Sequence, residues 1–291
     1  MIRDVLPAAV NLRSAIRRFT RHRGALVCLV LLCAFAVIAL LAPWIAPFPF
    51  DEQDIASRLQ EPSAVHWMGT DSLGRDLFSR LMFGARLSLA VGITTALSAL
   101  VLGTITGSLA GYFGGLADRV LMRLVDVFYI FPVLLMAILL TLIAGRGFVG
   151  IFLALTLATW VFQARLVRSL YLQARELPYV EGARAVGASH FSIMYRHILP
   201  NLWGPILVSL TYQIPTNILA ESFLSFIGLG LQPPLSSWGT LANEGFRAMR
   251  SYPHLMLFPG GVLFIAMLAF NFVGDGLREA LDPTSKQGFT G

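Results

Sequence analysis

The side chains with the most capacity for chemistry or docking gather in ARELPYVEGARAVGASHFSIMYRHILPN, residues 174–201. Glu181 and Arg184 flank Gly182 and Ala183, so a spot of little bulk is bracketed by one negative and one positive charge suited to pairing across an interface. Pro178 suits a first helical turn, Glu181 suits the positive end of that helix, and Gly187 is placed to end it. Ser189 then caps a second helix, which is expected to stop before Pro200. The spacing predicts two short helices about a glycine joint, forming a knob on which a partner surface can close. Periodicity alone is equally compatible with an ordinary amphipathic helix lying on a surface.

A second group lies within an apolar run. Asn217, Glu221 and Ser225 recur at four-residue steps and make one polar stripe on a helix. An ionisable group in such a run is costly and faces a partner or a water-filled path. Two readings stand open: Glu221 lines a translocation path, where its carboxylate attracts the amino group of a peptide, or it bonds a neighbouring helix or sits at the outer interface near Gly228 and Gly230. Asp275 and Arg278 are spaced to pair along the last helix and anchor it at the membrane face.

No catalytic constellation accompanies these groups. A phosphate-binding loop needs a Gly-rich run ending in Lys-Ser/Thr, and the sole lysine, Lys286, follows Thr284-Ser285 and precedes Gln287. His22, His66, His190 and His254 have no metal-ligand spacing, and neither G-x-S-x-G nor H-E-x-x-H occurs. Cys28 and Cys33 both fall in the first apolar run and read as small apolar side chains. No catalytic residue, metal or cofactor is expected in this chain.

The elements that must position these residues are membrane helices. Of 291 residues, 56% are hydrophobic and 13% charged, against about 45–50% and about 25% in soluble domains. A net charge of +6 would raise nucleic-acid binding in a soluble protein, but here the arginines flank apolar runs and report topology. No nucleic-acid partner is expected.

Backbone amides in hydrocarbon must be bonded internally, so the runs 25–47, 87–111, 120–144, 148–168, 202–230 and 255–277 are read as about six helices. The stretch from Gly24 to Phe50 is too long for a cleavable signal core and reads as an uncleaved first span. With the N-terminus inside, about 15 basic residues face the cytoplasm and about seven face out. That places residues 1–24, 112–119, 169–201 and the 278–291 tail in the cytoplasm.

Within TDSLGRDLFSRLMFG, Asp71 is a candidate cap for a surface helix. Its stripe Leu73, Leu77, Phe78, Leu81 and Met82 would lie opposite Arg75, Asp76, Ser79 and Arg80. The expected organisation is residues 25–86 as first span plus outer segment, then a five-helix core over 87–277. Gly103, Gly107 and Gly111 put bare backbone on one helix face for close packing. Pro132, Pro205 and Pro215 predict bends, and Arg123 and Asp126 lie on one face where they can pair or reach water.

Glu181, Ala183, Gly187, Leu199 and Pro200 resemble the EAA signature of bacterial ABC-importer permeases, with Gly182 in place of its first alanine and His197 in place of its isoleucine. HWMGTDSLGRD at 66–76, GYFGG at 111–115, ESFLSFIGLGLQPPLSSWG at 221–239 and FNFVGDGLREALDP at 270–283 are similar to the C-type permease subunit of dipeptide and oligopeptide importers.

The resemblance implies an all-α type I permease fold in the bacterial inner membrane, with cytoplasmic termini. It implies ATPase coupling through Glu181, Gly182, Ala183, Arg184, Gly187, His197, Leu199 and Pro200. The implied partners are a paralogous permease, two ATPase subunits that hold the ATP and Mg, an extracytoplasmic substrate-binding protein and membrane lipid. Nickel and glutathione importers share the scaffold, and a stand-alone secondary carrier is the rival from another class.

Overall fold

The computed structural model describes residues 12–281; residues 1–11 of the N-terminal segment and 282–291 of the expected tail lie outside the described residues. Every regular element described is a helix. In order they are α1 (Leu12–Phe19), α2 (Arg23–Ile45), α3 (Leu77–Phe113), α4 (Gly115–Tyr129), α5 (Val133–Ala144), α6 (Phe148–Ala174), α7 (Pro178–Ala185), α8 (His190–Ser192), α9 (Leu199–Phe226), α10 (Trp238–Ala248) and α11 (His254–Leu281).

The axis of the bundle is the pair α3 and α6. A Cβ added at Gly107 would lie 2.4 Å from the Ala164 carbonyl oxygen and 2.8 Å from the Arg168 nitrogen, and one at Gly111 would lie 2.7 Å from the Arg168 oxygen. The four-residue glycine spacing therefore brings two backbones into direct contact, as small residues do where no bulky side chain holds helices apart. On the outside of the bundle α2 presents Val27, Val30 and Leu40, each more than 60% exposed, which is what a lipid-facing surface requires.

Among the described residues, four helices (α2, α3, α6 and α11) are long and apolar enough to cross a membrane, or five spans if α4 and α5 together make one. The run expected as one helix over 120–144 is broken: α4 and α5 meet at 87°. Pro132, with ψ 130°, is the cause, since it has no N–H to donate and steers the preceding residue away from helical angles. By contrast α9 runs through Pro205 and Pro215 as one helix of 28 residues. It has the length of a span but not the apolarity, because a polar stripe runs along it.

The outer segment differs most from expectation. No separate helix opens at Asp71. α3 begins at Leu77, where the Asp76 carboxylate accepts from the Ser79 N–H at 2.8 Å, and it runs unbroken past the boundary drawn at residue 86. The charges assigned to solvent point inward: Arg75 is 5% and Arg80 1% exposed, whereas Leu73 is 38% exposed. Their partners explain this. Arg75 Nε donates to Asp71 at 2.7 Å and Arg80 to the same carboxylate at 2.5 Å, while both reach Glu244 of α10. A paired and hydrogen-bonded charge can be buried where a lone one cannot, so residues 46–76 are clamped to α10.

The helices alternate between two ends. Phe48 N–H donates to Ser79 at 3.2 Å and His254 abuts Gly69, so residues 46–76 and the start of α11 share one end. Tyr112 meets His190, and Phe19 abuts Gly276, so α1, the end of α3, residues 174–201 and the end of α11 share the other.

Candidate docking site

Residues 174–201 fold as the helix punctuation predicts at their centre. Pro178 opens α7, and Glu181 sits in its first turn. Gly187, with φ +79°, closes it: Gly187 N–H bonds to Arg184 O at 3.0 Å and Ala188 N–H to Ala183 O at 3.1 Å. This pair of bonds satisfies the last carbonyls and needs the left-handed backbone that glycine adopts freely. Ser189 Oγ then accepts from Ser192 N–H at 3.3 Å and caps α8.

The second helix does not stop before Pro200. A wider turn over 193–198, closed by Leu199 N–H on the Met194 carbonyl, leads from α8 straight into α9. Pro200 falls in the first turn of α9, where its missing donor has little cost. The loop and the span are thus one continuous piece of chain.

The small pair divides between two faces. Val180 and Ala183, 0% and 8% exposed, pack inward with Tyr112, Tyr171, Ile193, Met194 and Ile198. Glu181, Gly182 and Arg184 point out, and a Cβ at Gly182 would meet nothing within 4 Å. Only Gly182 therefore leaves room for a partner; Ala183 is small because its own core is close. Of the remaining expected residues, Leu199 packs half-buried on that core, while His197 and Pro200 are exposed.

Two residues were missed from sequence, Val186 and Phe191, which are 84% and 73% exposed on either side of the glycine joint. The available signal was their place beside the glycine joint, since other large apolar residues of the loop, Val180, Ile193, Met194 and Ile198, are buried. With Glu181, Gly182 and Arg184 they make a mixed apolar and charged outer face.

That face is held rigidly to the bundle. Tyr112 at the end of α3 shares a 2.9 Å hydrogen bond with His190 Nδ1, and the Arg184 guanidinium lies 6.0 Å above the Tyr112 ring. Tyr171 of α6 donates to the Met194 carbonyl at 3.0 Å, and Arg175 donates to the Gly111 carbonyl at 3.0 Å. A push on α7 therefore bears directly on the ends of α3 and α6.

The intramembrane stripe lies elsewhere. Asn217, Glu221 and Ser225 are 0%, 0% and 3% exposed. Glu221 accepts from Ser225 at 2.7 Å, Ser88 at 3.3 Å and Ser222 at 3.4 Å, and Asn217 donates to Thr95 at 2.8 Å. The stripe joins α9 to α3, which is the arrangement expected of the second reading, in which Glu221 bonds a neighbouring helix.

Two expected pairs are also re-partnered. Asp126 accepts from Arg165 at 2.6 Å rather than from Arg123, and Asp275 accepts from Tyr212 at 2.5 Å rather than from Arg278.

Residues 99–287 match the family described as the binding-protein-dependent transport system inner membrane component, and residues 11–62 match the N-terminal TM domain of oligopeptide transport permease C. This chain belongs to that permease family.

The oligopeptide transport system permease protein OppC of Bacillus subtilis (strain 168) is 40% identical to this permease over 271 residues, covering 93% of this chain and 89% of the relative. OppC of Escherichia coli (strain K12) is 43% identical over 276 residues, covering 94% and 91%. The glutathione transport system permease protein GsiD of Pectobacterium atrosepticum is 42% identical over 271 residues, covering 93% and 90%. Among solved structures, an inward-facing form of the MetNI methionine ABC transporter aligns with a TM-score of 0.57 at 21% identity, over 71% of this chain and 96% of that one. That likeness concerns the fold. The permease is a multi-pass membrane component of a transport system.

Proposed function

We propose that this permease is one half of the translocation path of an ATP-driven peptide importer in the bacterial inner membrane. Its outer face at Glu181, Gly182, Arg184, Val186 and Phe191 receives an ATPase subunit. The observation that carries this reading is the join between that face and the bundle. Glu181 and Arg184 stand exposed on a helix whose inner residues Val180 and Ala183 pack in one core with Tyr112 of α3 and Tyr171 of α6, and the chain that follows is bonded to the same two tyrosines. A displacement imposed there reaches the two helices that pack backbone to backbone. The chain's own residues include no phosphate-binding loop, so ATP and Mg belong to the partner subunits.

In this reading the 174–201 end is cytoplasmic, together with both termini, as the distribution of arginines favours. The bent α4–α5 pair and the 28-residue α9 bring the spans to six. α9 tolerates its polar residues because α3 bonds them. A paralogous permease completes the path, and an extracytoplasmic binding protein supplies cargo at the other end.

Replacing Glu181 with lysine reverses one charge on an exposed residue and touches no packing. Uptake and co-purification of the ATPases should both fall at least tenfold with the unfolding temperature unchanged; intact uptake and co-purification would sink the docking role. A purified single chain that transports in liposomes without ATP would replace the whole scheme with a carrier.

A second cargo, glutathione, is favoured by the 42% identity to the glutathione permease relative. Mass spectrometry of the ligand held by the co-purified binding protein separates the two.

A further inference from the structure

Where α1 meets the end of α11, the chain forms a half-open cavity of about 130 Å³ lined by Arg18, Arg21, His22, Gly276, Glu279 and Ala280. The joint is tightly made. A Cβ at Gly276 would lie 2.3 Å from Ala25 Cβ and 3.3 Å from the Phe19 ring, so bare backbone is what lets α1 seat on α11. His22 is committed: its Nδ1 accepts from the Ala25 N–H at 3.0 Å and caps α2, and its Nε2 lies 3.8 Å from Glu279. Arg17, Arg21 and Arg23 are exposed, Arg21 lines the cavity, and among the described residues Glu279 is the one acid that lines it.

Three features place this cavity at a lipid headgroup. It sits immediately before Gly24, where the uncharged run of α2 begins, so it lies at the depth where hydrocarbon gives way to phosphate. Ile16 of α1 is 55% exposed, and α2 presents the exposed Val27 and Val30 just beyond the basic cluster. The charge is one-sided: Arg13, Arg17, Arg18, Arg21 and Arg23 fall within eleven residues that contain no acid. A basic cluster beside a span attracts anionic lipid, and a forked guanidinium matches a phosphate better than any other side chain.

We propose that the α1–α11 cavity binds the phosphate of an anionic phospholipid headgroup, with the lipid chains lying along α2, so that α1 is tethered to the membrane surface. The site is independent of which cargo the importer carries.

The test uses the purified transporter in nanodiscs of phosphatidylcholine containing graded phosphatidylglycerol, with native mass spectrometry counting the phosphatidylglycerol retained. Each arginine near an anionic surface contributes about fivefold in affinity, so the double variant Arg17→Gln and Arg21→Gln should weaken retention about 25-fold. Glu279→Gln removes the acid that lines the cavity among the described residues and should tighten retention. Arg247→Gln with Arg250→Gln, exposed at the opposite end, should change nothing. Inorganic phosphate at millimolar concentration should not displace the lipid.

Both arginine replacements fall on exposed side chains, so the unfolding temperature serves as the check on folding. Unchanged retention in the double variant overturns the proposal, as does an equal loss in the opposite-end control. Displacement by inorganic phosphate would assign the cavity to a soluble anion instead.

Discussion

Replacing Gly107 with valine is the sharpest probe of the α3–α6 contact on which the mechanism depends. The new Cβ would stand 2.4 Å from the Ala164 carbonyl oxygen and 2.8 Å from the Arg168 nitrogen, where a carbon and an oxygen settle at roughly 3.3 Å or more. Both obstacles are backbone atoms, so no side chain can swing aside, and the helices must part by about 1 Å at that point. Overpacking of this kind costs about 1–3 kcal/mol, and the two methyl groups put Gly107→Val toward the upper end. At roughly 2–4 °C per kcal/mol for a chain of this size, the unfolding temperature should fall by about 5 °C or more.

The assay is thermal unfolding of the purified permease in detergent, followed by tryptophan fluorescence, with Trp160 reporting from the core beside Ala164. Gly182→Ala supplies the opposite sign. Nothing lies within 4 Å of its new Cβ, and the helix gains about 1 kcal/mol in propensity. A Gly107→Val protein that unfolds at the wild-type temperature would refute the backbone-to-backbone contact, and with it the route from the docking face into the bundle.

Three further outcomes are expected. Glu221→Leu strands the hydroxyls of Ser88 and Ser225, so it should lower stability by about 1–3 kcal/mol more than Glu221→Gln, which keeps an acceptor; equal unfolding temperatures would count against the buried network. Arg80→Met leaves Arg75 as the one cation that Asp71 and Glu244 share, a loss toward the lower end of the about 3–5 kcal/mol for breaking a buried pair. Trypsin cleavage after Arg58 should accelerate, and an unaltered rate would show that the clamp on residues 46–76 is not formed in solution.

Asp54 accepts from the Ser57 hydroxyl at 2.6 Å and from the Ala56 N–H at 3.0 Å, and these bonds hold its pKa below the usual aspartate value. A lowered carboxylate supports its turn above the ordinary aspartate range and releases it as pH falls through the lowered value. Amide exchange at Ala56 and Ser57, normalised for intrinsic rate, should therefore rise on strong acidification; exchange independent of pH would contradict the cap.

Local punctuation was readable from sequence wherever one residue suffices to dictate backbone geometry. Gly187 ends α7 because a left-handed turn is needed there, Pro132 divides α4 from α5 because it has no N–H, and Gly103, Gly107 and Gly111 mark a close helix face because they have no side chains. The apolar runs could only be helices for want of water to bond their amides, and the loop signature carried the family.

What could not be read was the direction in which polar side chains look. Periodicity groups Arg75 with Arg80 and Glu221 with Asn217, but it does not name the neighbour each group faces. Glu244 stands 164 residues beyond Arg80, and Asn217 122 beyond Thr95. Those distant partners turned an expected solvent face into a buried joint, and they gave the Asn217–Glu221 stripe bonds to α3 that periodicity could not name. They also divided Gly182 from Ala183, one left open to a partner and the other closed against Met194 and its core. Burying a polar group is tolerable only when something bonds it, and in this bundle that partner is supplied by the tertiary fold.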